Sequence, residues 1–225
     1  MAPNPRPIPR FIADSTQEGI PHGRFAERLA AEFRSACERL DELPSGTVIP
    51  AQFEWFPERA WGGRVWVPCT ARAQAADPAS GATYPDLEGK TRTGTTLELF
   101  GHVSYLLQEG GDPTDFEATA DFTDVLAEDN PDWRIDLNDE VIGRWRGENG
   151  RAGKVTLVWG RPLVRGAVAA TAELDEETVD QEAISDGRFT LVALDALENF
   201  GDDFFMNVKL WSRRADELAS ESLYA

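Results

Sequence analysis

The stretch Arg64–Ala73, RVWVPCTARA, alternates without a break. Val65, Val67, Cys69, Ala71 and Ala73 fall on one side of an extended chain, and Arg64, Trp66, Pro68, Thr70 and Arg72 fall on the other. Apolar residues at a period of two predict a half-buried β-strand. The polar side is unusual, because a large indole stands between two guanidinium groups where a small polar residue would serve. The pattern recurs in DFFMNVKLWSRR, where Phe204, Met206, Val208 and Leu210 make the apolar row and Phe205, Asn207, Lys209, Trp211 and Arg213 the other. Two readings fit: an outer sheet face where indoles stack under cations, or a face covered by another segment or a second subunit. Arg64, Trp66, Arg72, Lys209, Trp211 and Arg213 are therefore the candidate interaction surface. Trp145, flanked by Arg144 and Arg146 on the opposite side of its strand, reads as core.

The same period governs the chain beyond residue 60. Strands are expected near 61–73, 94–107, 115–123, 141–146, 154–159, 165–174, 188–195 and 203–213, separated by turn-rich segments such as DPASGATYPDLEGKT and GENGRAG. Many short strands without intervening helices predict an antiparallel β-sandwich or barrel. The acidic stretch ELDEETVDQEAISDG reads as a loop or a short helical turn.

Upstream the period changes. In HGRFAERLAAEFRSACERLDEL, Phe25, Leu29, Phe33, Ala36, Leu40 and Leu43 form an amphipathic stripe, which predicts a helix over 22–43 ended by Pro44 and Gly46. Before it, Pro3, Pro5, Pro7, Pro9 and Pro21 predict an extended arm over 1–21, either a strap on a neighbouring molecule or a tail. The expected fold is thus α+β and β-dominated: an antiparallel sandwich or barrel with one N-terminal amphipathic helix and a proline-rich arm, residues 22–225 forming a single globular domain.

Charge limits the partners. Forty acids against 22 bases give a net charge of −18, which disfavours nucleic acid and anionic membranes. No stretch approaches a membrane span, and proline stands where a secretory signal needs an apolar run, so the expected location is cytoplasmic. Cys37 and Cys69 fall on apolar faces and read as buried thiols. The charge is also segregated. From Glu109 to Glu140 twelve acids face Arg134 alone, whereas from Val141 to Ala172 Arg144, Arg146, Arg151, Lys154, Arg161 and Arg165 face only Glu148. Such segments neutralise each other across strands or between copies.

The motifs for catalysis fail one by one. Gly89–Thr91, GKT, has Tyr84 where a phosphate loop needs glycine and a strand where it needs a helix. GENGRAG has the wrong glycine spacing for a dinucleotide fingerprint and reads as a hairpin loop. DLNDEVIG imitates a calcium loop but has Val141 and Gly147 at the two positions that define one, leaving only an irregular cation site among Asp129, Asp132, Asp136 and Asp139 against the simpler reading of solvated acids. His102 shares a strand face with Glu98 and Ser104, but such neighbours lie about 7 Å apart, too far for direct proton transfer, and His102 reads as a surface histidine. No catalytic, cofactor-binding or metal residue is assigned, and no cofactor is expected. What the pattern points to is contact with protein, either a second copy of the chain or another assembly component. A small-molecule or carbohydrate-binding β domain, with or without hydrolase activity, is the alternative, and it requires a cleft lined by Trp66 or Trp211 and carboxylates.

Overall fold

A computed structural model describes residues 25–44, 46–75, 83–85, 91–93, 95–107, 112–146, 152–174, 177–195 and 206–223. The expected arm, 1–21, lies outside the described residues. The rest divides into two compact units, one within Glu18–Pro131 and one within Asp132–Ala225.

The first unit is built from one helix and one main sheet. Helix α1, Ala26–Cys37, buries Leu29, Phe33, Ala36 and Cys37. It ends before the expected 43, because after Cys37 the backbone tightens to three-residue turns, Arg39 N donating to Ala36 O and Leu40 N to Cys37 O, while residues 22–24 of the expected helix lie outside the described residues. Leu40 and Leu43 still reach the core from those turns. The strands that follow are β1 (Glu54–Trp55), β2 (Arg59–Trp61), β3 (Arg64–Ala75), the short pair β4 (Thr83–Pro85) and β5 (Thr91–Thr93), β6 (Thr95–Leu106) and β7 (Thr114–Thr123). The main sheet has the order β1-β3-β6-β7, with β2 also paired to β3, and every pairing is antiparallel.

The RVWVPCTARA alternation now has its cause. Val65, Val67, Cys69, Ala71 and Ala73 share a core with Leu97, Leu99 and Val103 of β6 and with Leu29, Phe33 and Cys37 of α1. Phe33 is wholly buried and meets Phe53 edge-on at 5.1 Å. α1 therefore covers the apolar face, and Trp66 stands on the face the helix leaves.

The second unit contains β8 (Ile135–Arg146), β9 (Ala152–Pro162), β10 (Ala167–Leu174), β11 (Glu177–Ala183), β12 (Phe189–Asp195), β13 (Met206–Ser212) and β14 (Glu217–Ser222). They form a four-stranded sheet, β11-β10-β13-β14, and a three-stranded one, β12-β9-β8, again antiparallel. Both contribute to one core, Val158, Phe189 and Leu191 from one sheet and Ala170, Val208 and Leu210 from the other. Among the described residues the chain is thus strand-dominated and antiparallel, with one α-helix and no closed barrel.

Two expectations are corrected. The acidic stretch after Leu174 is a strand, β11, held by pairing with β10 and by Asp180, whose carboxylate accepts the Val192 N–H at 2.7 Å. β8 starts at Ile135 rather than near 141, so the segment that imitates a calcium loop is extended chain whose Asp136 binds Arg161 at 3.2 Å. No group of three or more His, Cys, Asp or Glu side chains among the described residues is arranged to hold a metal ion.

Candidate interaction surface

The polar face of β3 is read most directly through its register. Trp66 lies opposite Ser104, Pro68 opposite His102 and Arg72 opposite Glu98, while on the far side of β6 Ser104 meets Glu117 and His102 meets Thr119. Arg64, Trp66, Ser104, His102, Glu98 and Arg72 therefore stand on one face of one sheet.

Arg64 clamps β6 to β7 where a bulge shifts their register. Its Nε donates to Ser104 Oγ at 3.1 Å, its Nη1 to Asp115 Oδ2 at 2.6 Å, and its Nη2 to the Asp115 carbonyl at 2.5 Å. Glu117 adds a second carboxylate at 3.5 Å. Asp115 sits in the left-handed region, φ 53°, which disfavours any side chain but is tolerated best by short polar ones. The fork on Arg64 holds it there from both its carbonyl and its carboxylate.

Trp66 is buried, 7% exposed, and its Nε1–H donates to the Trp61 carbonyl at 3.1 Å, across the β2–β3 turn. Its ring neighbour is His102, with centroids 5.0 Å apart, and not a guanidinium group. The expected cation stacking fails at this position because both flanking arginines reach carboxylates instead. His102 is likewise buried rather than on the surface, with Nδ1 3.1 Å from Thr119 Oγ1. Gly101 makes that approach of β6 to β7 possible, since a Cβ there would collide with the Thr119 carbonyl oxygen. Arg72 ends the row between Glu128 at 2.7 Å and Glu98 at 3.5 Å.

The second unit repeats the theme with other atoms. Trp211 Nε1 donates to Thr171 Oγ1 at 2.8 Å, and Lys209 lies between Glu173 at 2.7 Å and Glu217 at 3.4 Å. Burial alone would lower the Lys209 pKa, but the hydrogen bond and charge of Glu173, with Glu217 beside it, hold it above the usual lysine value. Arg213 stands exposed in the turn after β13. The six candidate residues thus form two sets: Arg64, Trp66 and Arg72 in the first unit, Lys209, Trp211 and Arg213 in the second.

Sequence reasoning missed Thr119, Glu173 and Glu217, whose roles depend on which strands pair. Trp145 stands on the side away from Arg144 and Arg146, half-buried, opposite Gly153 on the face of the buried Val155 and Leu157.

One cleft in the first unit, about 460 Å3, is lined by Pro44, Ala75, Thr95, Leu97, Phe122, Thr123 and Asp124. Neither Trp66 nor Trp211 borders it. No helix of the described residues is long and apolar enough to cross a membrane. Comparison of the chain with protein-family models, with curated proteins and with solved structures found no match.

Proposed function

We propose that this chain is a non-catalytic protein-binding or assembly module that acts through surface contacts, as a homo-oligomer, in the cytoplasm, with the two sheets of its second unit packed as a sandwich. One observation carries the reading. The groups that a catalytic account would need are already engaged inside the chain: the Ser104 hydroxyl accepts from Arg64, His102 is fixed between Trp66 and Thr119, and Arg72 lies between two carboxylates. What remains at the surface are apolar side chains such as Val125, Trp133, Val141 and Leu163, the material of protein contacts. Light scattering on the full chain tests this: a mass above that of one chain, falling as salt rises, is the expected result, and a monomer at every salt concentration overturns it.

The small-molecule alternative draws on the cleft beside Phe122 and Asp124, whose volume lies within the usual range of ligand sites. Saturable quenching of tryptophan fluorescence by a member of a sugar and metabolite panel would favour it over assembly.

A further inference from the structure

Strand β7 ends the main sheet of the first unit with an edge that no strand among the described residues pairs. It is ten residues long and contains neither proline nor lysine, two of the residues that usually blunt such an edge. Its side chains alternate: Glu117, Thr119 and Asp121 are exposed, while Phe116, Ala118, Ala120 and Phe122 are half-buried against the core that α1 covers. In that core Val67 and Cys69 of β3 and Leu99 and Val103 of β6 are wholly buried, so the apolar layer thins where the sheet stops. Two contacts show which main-chain groups the edge presents. The Thr119 carbonyl points at β6, where a Cβ on Gly101 would collide with it, and the Phe122 N–H donates to the Asp121 carboxylate at 2.8 Å. By the alternation of an antiparallel ladder, Ala118, Ala120 and Phe122 turn their N–H and C=O groups outward.

The N-terminal sequence has the form of a strand for such an edge. Pro3, Pro5, Pro7 and Pro9 stand at every second position, so an extended chain loses its N–H groups along one side and keeps those of Asn4, Arg6, Ile8 and Arg10 along the other. Each of Asn4, Arg6 and Ile8 precedes a proline, which pushes it toward extended dihedrals. The segment can pair on one side and ends the sheet on the other. Its two cations are four residues apart, as are Glu117 and Asp121. Direction follows from the donors. In a parallel pair a residue lies between the two residues it bonds, so Ile8 bonding Ala118 and Ala120 stands beside Thr119, with Arg6 beside Glu117 and Arg10 beside Asp121. The prolines then fall on the half-buried apolar side. An antiparallel pair would set the same donors directly opposite Ala118, Ala120 and Phe122 and turn both arginines onto that apolar side.

We propose that residues 3–11 of one copy, which lie outside the described residues, add to β7 of a second copy as a parallel outer strand in this register. Arg10 draws the Asp121 carboxylate away from the Phe122 N–H, which donates to the Arg10 carbonyl instead. This rests on the homo-oligomer reading above and names the contact that holds the copies together, each offering one arm and one edge.

Disulfide trapping tests the register on the full chain. Chains carrying R10C alone and D121C alone are mixed in equal amounts and oxidised, and a disulfide joining the two introduced thiols, found by peptide mass spectrometry, can form only between copies. It should form at least about tenfold faster than the one in a mixture of R10C with E117C, which the register sets about 13 Å apart along the strand. Equal rates in the two mixtures overturn the proposal, and so does an R10C/D121C chain that closes its disulfide within itself. Charge reversal reads the same contact independently. R10D and D121R should each associate at least about tenfold more weakly than the parent in sedimentation equilibrium at low salt, and a chain carrying both should regain the parent affinity. Recovery in the double variant also shows that the single changes leave the fold intact. If the parent self-associates but removal of residues 1–11 leaves its mass unchanged, or the double variant fails to recover, this docking is overturned while self-association stands. If the parent is a monomer at low salt, both proposals fall.

Discussion

Replacing Arg64 by Met removes the fork that ties β6 to β7 and keeps most of the apolar stem, so the cost isolates the guanidinium group. Ser104 is wholly buried and loses its donor, which costs about 1–3 kcal/mol for a buried hydroxyl left short of a partner. Asp115 keeps its left-handed backbone without the two bonds that hold it, for roughly 1–2 kcal/mol of exposed strain. Glu117, 66% exposed at 3.5 Å, adds at most about 1 kcal/mol. Some of this relaxes when the bulge readjusts, leaving a net loss of about 2–4 kcal/mol. In a chain of this size each kcal/mol lowers Tm by about 2–4 °C, so calorimetry should show a fall of at least about 4 °C. R64K should lie between parent and R64M, because an ammonium group keeps the charge but cannot span Ser104 and Asp115 together. A change of less than about 1 °C in R64M, with the hydrogen exchange of β7 unaltered, would refute the clamp.

Phe33→Ala should cost about 3–5 kcal/mol in urea unfolding, since the ring is wholly buried against Phe53 and the sheet; an unchanged midpoint would mean the helix is not docked there. Trp66→Ala should cost a similar amount, about 3–5 kcal/mol, and shift the His102 ring resonances, so it is the fold rather than association alone that should respond; a fully stable variant would contradict the burial of the indole. Stability should also fall in alkali. Burial pushes the Cys37 thiol from 9.0 up to about 12, and burial with the Glu58 carboxylate pushes Tyr105 from 10.0 up to about 12. The folded chain keeps these protons where the unfolded chain releases them, so their contribution is full below about pH 9 and is lost toward pH 12 at about 1.4 kcal/mol per unit and group. Urea midpoints that do not fall between pH 8 and 11 would refute it.

Local periodicity made β3 and α1 legible because each buries one face against a neighbour, and the apolar residues had to repeat at the spacing of that face. β8 shows where such reading stops. Ile135 and Leu137 alternate with Asp136 and Asn138 as a strand should, yet Asp and Asn also favour turns, and the choice is made by β9, which supplies Arg161 across the ladder. β11 is harder still. ETVDQEA has little apolar periodicity of its own, and its extension comes from pairing with β10. The candidate surface divides in the same way. The sequence places a cation on each side of Trp66, but it cannot choose Asp115, 51 residues away from Arg64, from the many acids on offer.

The partners once known, the indole between cations follows from the charge imbalance. Arg64 reaches Asp115 and Glu117, Arg72 reaches Glu98 and Glu128, and Lys209 reaches Glu173 and Glu217. Each cation thus stands between two carboxylates, close to the ratio of 40 acids to 22 bases in the whole chain. Two carboxylates drawn toward one point repel each other, so the cation between them does more than one ion pair would. Removing it leaves a pair of like charges as well as a missing partner. A wide, flat side chain with one donor suits the space between such centres, because it fills the face without adding a charge and its N–H is met by a carbonyl at Trp66 and a hydroxyl at Trp211.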